Sequence, residues 1–251
     1  MDRSGCKEEL SDRSVRGVLP TELPSMTSTL ISSTLVHKIR PPAGLAGVKH
    51  PALILLHGRG TNEDDLLGLA DSLDPRFFII SVRAPFKFDQ TFGGYTWYDM
   101  HDIGTPYPQQ FEESYNRVLQ FVLDVKRQYP VDVTRVFLLG FSMGSIMSFA
   151  LSLTKPELVR GIVAHSGYIH ENTSLKFAWD RLQHVSFFVA HGVDDSVIPV
   201  HFARRAHELL SKTQADVTYT EYPIPHSISE QSLGDLSVWL QKKLAAPGDM
   251  E

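Results

Sequence analysis

Among the residues of this chain able to make or break covalent bonds, Ser142 stands in the most telling company. It is the centre of Gly140-Phe141-Ser142-Met143-Gly144, a G-x-S-x-G pattern. The apolar run at 136–139 enters the pattern and a helical pattern over 145–153 leaves it. A serine at so tight a strand-to-helix turn has its Oγ lifted clear of the sheet, beside a helix N-terminus that favours negative charge. Glycine belongs on both sides because side chains would crowd the turn. The plainer use of the same five residues is an ordinary turn in which Ser142 is merely small.

A hydroxyl is a weak nucleophile until a base takes its proton, so a histidine and an orienting carboxylate must also exist. In α/β-hydrolases, which place a serine at such a turn, the acid and then the base follow it along the chain. The apolar run at 185–190 leads into His191-Gly192-Val193-Asp194-Asp195-Ser196-Val197-Ile198-Pro199. A carboxylate there would sit at the carboxyl end of a parallel strand, where open α/β sheets bind ligands. Asp194 and Asp195 compete for the role, and spacing alone does not choose. For the base, His226 follows the last strand pattern, 216–222, on a loop broken by Pro223 and Pro225. His201 and His207 fall inside a helical pattern, and His165 at the end of another strand is the rival. Met143, following the serine, would offer its backbone N–H to a developing oxyanion. The glycines of His57-Gly58-Arg59-Gly60 would let a second N–H face the same point.

The elements that must position these groups alternate. Strands are expected near 29–38, 50–56, 77–83, 135–140, 159–165, 184–190 and 216–222, with helices near 62–73, 111–129, 143–154, 199–212 and 229–244. Such alternation predicts an α/β fold with a mostly parallel, doubly wound sheet, its first hairpin antiparallel. Asn62, followed by Glu63, Asp64 and Asp65, reads as a helix cap with acids in the first turn. Residues 1–27 are rich in Ser, charge and Pro without periodicity and read as a flexible tail, leaving 28–251 as one catalytic domain. The aromatic and glycine-rich stretch 84–110 is long for a loop without a task. Phe92, Trp97 and Tyr98 within it are expected to wall a substrate pocket. Asp99-Met100-His101-Asp102 has metal-like residue types but no partner group elsewhere, so it reads as a hydrogen-bonded loop, with no metal.

Composition narrows the partners. A net charge of −5 with no basic stripe argues against nucleic acid. No apolar run approaches the roughly 18 residues of a membrane span, so stable membrane insertion is not expected. The N-terminal residues lack the apolar core of a secretory signal, and the cytoplasm is the expected location. Cys6, the sole cysteine, allows no intrachain disulfide and lies far from any strand end. A homodimer is compatible with the sequence, which selects neither one chain nor two.

Taken together, these motifs resemble the phospholipase/carboxylesterase branch of the α/β-hydrolases, relatives of the acyl-protein thioesterases, over roughly residues 33–243. The stretches that carry the resemblance are 56–66, Arg83-Ala84-Pro85, Trp97-Tyr98-Asp99, 140–144, 191–199 and Pro225-His226-Ser227. The resemblance implies an α/β-hydrolase fold without a large cap, and a cofactor-free serine esterase working through an acyl-enzyme. It also implies Asp195 over Asp194 as the acid, and the Arg59 N–H as the first oxyanion donor. Acyl-protein thioesterases usually carry Gln where this chain has Met143, a departure that sets thioesterase specificity apart. The expected substrate is a small ester of short-to-medium acyl length. Thioester or lysophospholipid hydrolysis stands as the alternative, with a catalytically silent binding module or a small-peptide peptidase further off. Only residues 168–184 separate two expected strands where a lipase lid would be inserted, which leaves no room for a substantial cap.

Overall fold

The computed structural model describes Met1 and residues 31–43, 48–88 and 93–245. Nine strands are found there: β1 (His37–Arg40), β2 (His50–Leu56), β3 (Phe78–Val82), β4 (Phe86–Lys87), β5 (Tyr95–Thr96), β6 (Val131–Phe141), β7 (Gly161–His165), β8 (Ser186–Gly192) and β9 (Asp216–Tyr222). Four α-helices accompany them: α1 (Pro108–Gln128), α2 (Met143–Thr154), α3 (His201–Leu210) and α4 (Glu230–Ala245). Seven strands form one sheet in the order β1-β3-β2-β6-β7-β8-β9, parallel throughout except for β1 against β3. The expected tail at 1–27 lies, apart from Met1, outside the described residues.

Side-chain alternation explains why the sheet is covered on both faces. In β2, Ala52, Ile54 and Leu56 join one core cluster while Leu53 and Leu55 join the other. The same split divides Val136 and Leu138 from Phe137 and Leu139 in β6, and Phe187 and Val189 from Phe188 and Ala190 in β8. The larger cluster is closed by α1, α2 and α3 and the smaller by α4 and a 3-10 helix, Leu66–Ser72. Each buried Leu, Ile or Phe contributes about 1.5–3 kcal/mol, so the central strands are held mainly by their runs of apolar residues.

Two expectations need correction. The first strand is the short β1, and it pairs antiparallel with β3, so no hairpin joins it to β2. The reason is burial: residues 51–56 are all buried, so β2 needs a neighbour on each side and takes β3 and β6. β1, His-Lys-Ile-Arg, can tolerate an edge. The helix expected over 62–73 is only the 3-10 helix, and Asn62 does not cap it. Its side-chain oxygen accepts the Asp64 N–H at 2.8 Å instead, closing a local turn. The 84–110 stretch is also partly regular, since β4 and β5 pair as a two-stranded ribbon.

Candidate active site

Ser142 occupies the single residue between β6 and α2, with φ 54° and ψ −119°. Positive φ costs a residue with a Cβ about 1–3 kcal/mol, and surrounding contacts must impose it. They do: the Ser142 N–H donates to the His165 carbonyl at 2.9 Å. The buried Ser145 hydroxyl lies 2.7 Å from the Gly140 carbonyl and 2.8 Å from that of His165. A Cβ on Gly144 would lie 1.8 Å from the Leu56 carbonyl oxygen, so only glycine lets α2 start this close to β2. Among the described residues the Ser142 hydroxyl makes no hydrogen bond, and the Met143 N–H, first in α2, donates to no protein group.

Asp195 and His226 meet at the carboxyl end of β8 and beyond β9. His226 Nδ1 lies 2.6 Å from Asp195 Oδ2. The other carboxylate oxygen, Oδ1, accepts the N–H groups of Val197 at 2.9 Å and Ile198 at 2.8 Å. The Asp195 side chain is fully buried, whereas Asp194 is exposed. Gly192 makes the approach of the two loops possible, because a Cβ there would stand 2.1 Å from the Ile224 carbonyl oxygen. Hydrogen bonds from Val193 N–H to Tyr222 O and from Asp194 N–H to Ile224 O then zip the loops together. The Phe141 ring, one residue before Ser142, packs on the His226 ring with centroids 4.9 Å apart. Serine, histidine and aspartate therefore come to one edge of the sheet.

Two further histidines support this edge. His191 Nε2 lies 2.7 Å from the Ile198 carbonyl, which can only accept, so Nε2 carries the proton and braces the 195–198 turn. The same nitrogen is 3.3 Å from Asp195 Oδ2. His165, the rival base, is fully buried between Ser166 and Ser232 hydroxyls, and burial pushes it down to about 3. It stays neutral and enclosed.

The loop after β2 is fixed by its own histidine. The Ala84 N–H donates to His57 Nε2 at 3.0 Å, which places the ring proton on Nδ1, donating to the Gly58 carbonyl at 2.6 Å. Burial lowers the His57 pKa and keeps it neutral. In a trans peptide the C=O and the following N–H point opposite ways, so holding the Gly58 carbonyl toward His57 turns the Arg59 N–H away from it. Among the described residues that N–H has no acceptor. The Gly60 N–H donates to the Tyr95 carbonyl, and the Tyr95 N–H to that of Thr61, both at 2.8 Å, tying the loop to β5. The Arg59 guanidinium lies over the Phe88 ring at 4.5 Å and 3.8 Å from Asp99.

Trp97 and Tyr98 do not wall an open pocket, because both are fully buried. The indole N–H of Trp97 needs an acceptor when enclosed and finds the His57 carbonyl at 2.9 Å. Tyr98 packs edge-on against Phe111. Trp97 thus lies beneath the loop carrying Arg59. Phe92 lies outside the described residues. The Met143 side chain is buried too, its sulfur accepting the Thr96 hydroxyl at 3.4 Å. Near the metal-like stretch, His101 packs on Tyr107 and the Asp102 N–H donates to the Thr105 hydroxyl. Among the described residues no three His, Cys, Asp or Glu side chains are grouped to hold a metal ion.

The sequence profile described as Phospholipase/Carboxylesterase matches residues 46–244, most of the chain. The chain belongs to the phospholipase/carboxylesterase family. Its members share the α/β-hydrolase fold and are hydrolytic enzymes. The chain is 25% identical over 220 residues to acyl-protein thioesterase 1 of Candida albicans, covering 80% of this chain and 95% of that protein. It is 23% identical over 233 residues to the mouse lysophospholipase-like protein 1, covering 86% of this chain and 95% of the relative. Among solved structures, the Bacillus cereus carboxylesterase superposes with a TM-score of 0.74 at 21% identity, covering 84% of this chain and 95% of that one. The carboxylesterase from Mesorhizobium loti gives 0.72 at 20% identity, with 87% and 98% covered. At these identities the structural likeness speaks to fold. No helix among the described residues is long and apolar enough to cross a membrane.

Proposed function

We propose that this phospholipase/carboxylesterase family member hydrolyses small esters through an acyl-enzyme on Ser142. His226 Nε2 takes the Ser142 proton as Oγ attacks the ester carbonyl, and Asp195 orients the ring and stabilises the imidazolium that results. The Arg59 and Met143 N–H groups, both without a protein acceptor among the described residues, receive the oxyanion. The tetrahedral intermediate collapses, the alcohol leaves with the proton from His226, and water activated by the same histidine releases the acid. The observation that carries this reading is the 2.6 Å bond between His226 and the buried Asp195, set on the same sheet edge as the left-handed Ser142. The serine–histidine hydrogen bond is one that commonly closes only when substrate is bound.

Residues 166–185, between β7 and β8, carry one 3-10 turn, Trp179–Arg181, and no helical cap. We therefore expect an open site serving soluble esters of short-to-medium acyl length, without a rate jump as substrate passes into micelles. The single cysteine, which allows no intrachain disulfide, is in keeping with a cytoplasmic enzyme. Thioester hydrolysis is the second reading, favoured by the name of the Candida albicans relative; ester and thioester pairs matched in acyl chain separate the two. Replacing Ser142 with Ala should lower ester turnover by about six orders of magnitude. Turnover retained within tenfold of the parent would overturn the proposal.

A further inference from the structure

Beside His226 of the proposed triad lies an apolar groove. The His226 ring forms one wall of this cavity of about 340 Å³, together with Leu66, Leu69, Phe141 and Ile228, and with Asp65 among its lining groups. Leu69, Phe141 and Ile228 are half-buried and pack on the smaller core cluster, so the apolar surface of the groove is rooted in the core. Leu66 and Leu69 come from the 3-10 helix, and Ile228 follows His226 by two residues, just before α4.

The chemistry of the acyl transfer says which part of an ester belongs there. His226 spends Nδ1 on Asp195, so the proton taken from Ser142 resides on Nε2. When the tetrahedral intermediate collapses, the oxyanion electron pair re-forms the C=O bond and the bond from carbon to the alcohol oxygen breaks. That oxygen must take the Nε2 proton, so it lies within hydrogen-bond reach of His226. The group attached to it then runs along the surface flanking the histidine, while the acyl chain departs from the carbonyl carbon in another direction. We propose that the groove is the subsite for the alcohol portion of the ester and that it selects uncharged, apolar alcohols. Four apolar side chains supply the binding surface, and the exposed Asp65 carboxylate disfavours an anionic alcohol. This assignment rests on His226 being the proton donor.

The test keeps the acyl group constant and varies the alcohol. Across methyl, ethyl, butyl and hexyl butyrates, kcat/KM should rise by up to about fourfold per methylene until the groove is filled. The butyrate ester of 4-hydroxybutyrate, carrying a carboxylate, should fall below the butyl ester, and Asp65→Asn should narrow that gap. Leu69→Trp, which fills the groove, should flatten the alcohol series while the acyl-length dependence of methyl esters keeps its slope. Ile228→Ala, which widens it, should move the best alcohol to a longer one. Hydrolysis of the butyryl-enzyme, from which the alcohol has already left, should be the same whichever ester formed it. A flat alcohol series, or one whose slope survives both variants, would overturn the groove assignment while Ser142-dependent turnover left the triad standing. Loss of nothing on Ser142→Ala, or no hydrolysis of any ester, would overturn both.

Discussion

Asp194 and Asp195 are adjacent in sequence and opposite in circumstance. Asp195 is buried with two backbone N–H donors on one oxygen and His226 on the other, while Asp194 faces solvent. Replacing Asp195 with Asn removes the acceptor that holds the ring and its tautomer, and should reduce kcat by about 10⁴-fold. Asp194→Asn should change it by less than threefold. Steady-state kinetics on a soluble butyrate ester checks both, and the reverse order of severity would remove Asp195 from its proposed role. The tight strand-to-helix turn at Ser142 and the loop position of His226 beyond the last strand are legible in the sequence, because a local pattern and chain order single them out. Spacing leaves the two aspartates open and only the resemblance selects Asp195, since neighbouring loop residues diverge in direction. The burial of Trp97 and Tyr98 is not legible for a physical reason: an aromatic in a long loop suits a pocket wall or a core equally. The hydrogen bond from Trp97 to the His57 carbonyl has no sequence signature.

The loop carrying Arg59 depends on a pairing between elements that the sequence hid. Glu63, which reads as a first-turn acid, is buried and accepts the Arg83 guanidinium through both carboxylate oxygens. Arg83 in turn lies over the Tyr95 ring at 4.7 Å and donates to its hydroxyl at 3.2 Å. The hydrogen bonds hold Glu63 below its ordinary value despite the opposing effect of burial. Removing one partner of a buried pair strands the other, although Arg83 retains 29% side-chain exposure and can rehydrate in part. Glu63→Ala should therefore cost about 2–4 kcal/mol of stability, read from denaturant unfolding, with a fall in kcat as the loop loosens. A change under 0.5 kcal/mol would mean the pair does not hold the loop. At this scale the alternation of strands and helices was legible because apolar runs and amphipathic stretches differ in period. The short 3-10 helix at 66–72 and the pairing of β1 with β3 were not, since each is decided by what the central strands leave uncovered.

Across the molecule, burial lowers the pKa of His37, His57, His165, His170 and His191, which places these rings in the fold as neutral groups. His165 falls from 6.5 to about 3. Between those values the unfolded chain holds a proton that the folded chain lacks, so stability declines as pH drops through 6.5 and goes on declining to about 3. Each such histidine contributes at most about 1.4 kcal/mol per pH unit. Thermal unfolding from pH 7 to pH 4 should therefore show a falling Tm, and His165→Gln, which can still hydrogen-bond Ser166 or Ser232, should make that fall less steep. Identical slopes would show that His165 is not held neutral. Hydrolysis through one reactive serine is tested most directly by intact-mass spectrometry after treatment with a fluorophosphonate. One equivalent of adduct should form, map to Ser142, and run parallel with the loss of esterase activity. An adduct on another residue, or full activity surviving complete modification of Ser142, would contradict it.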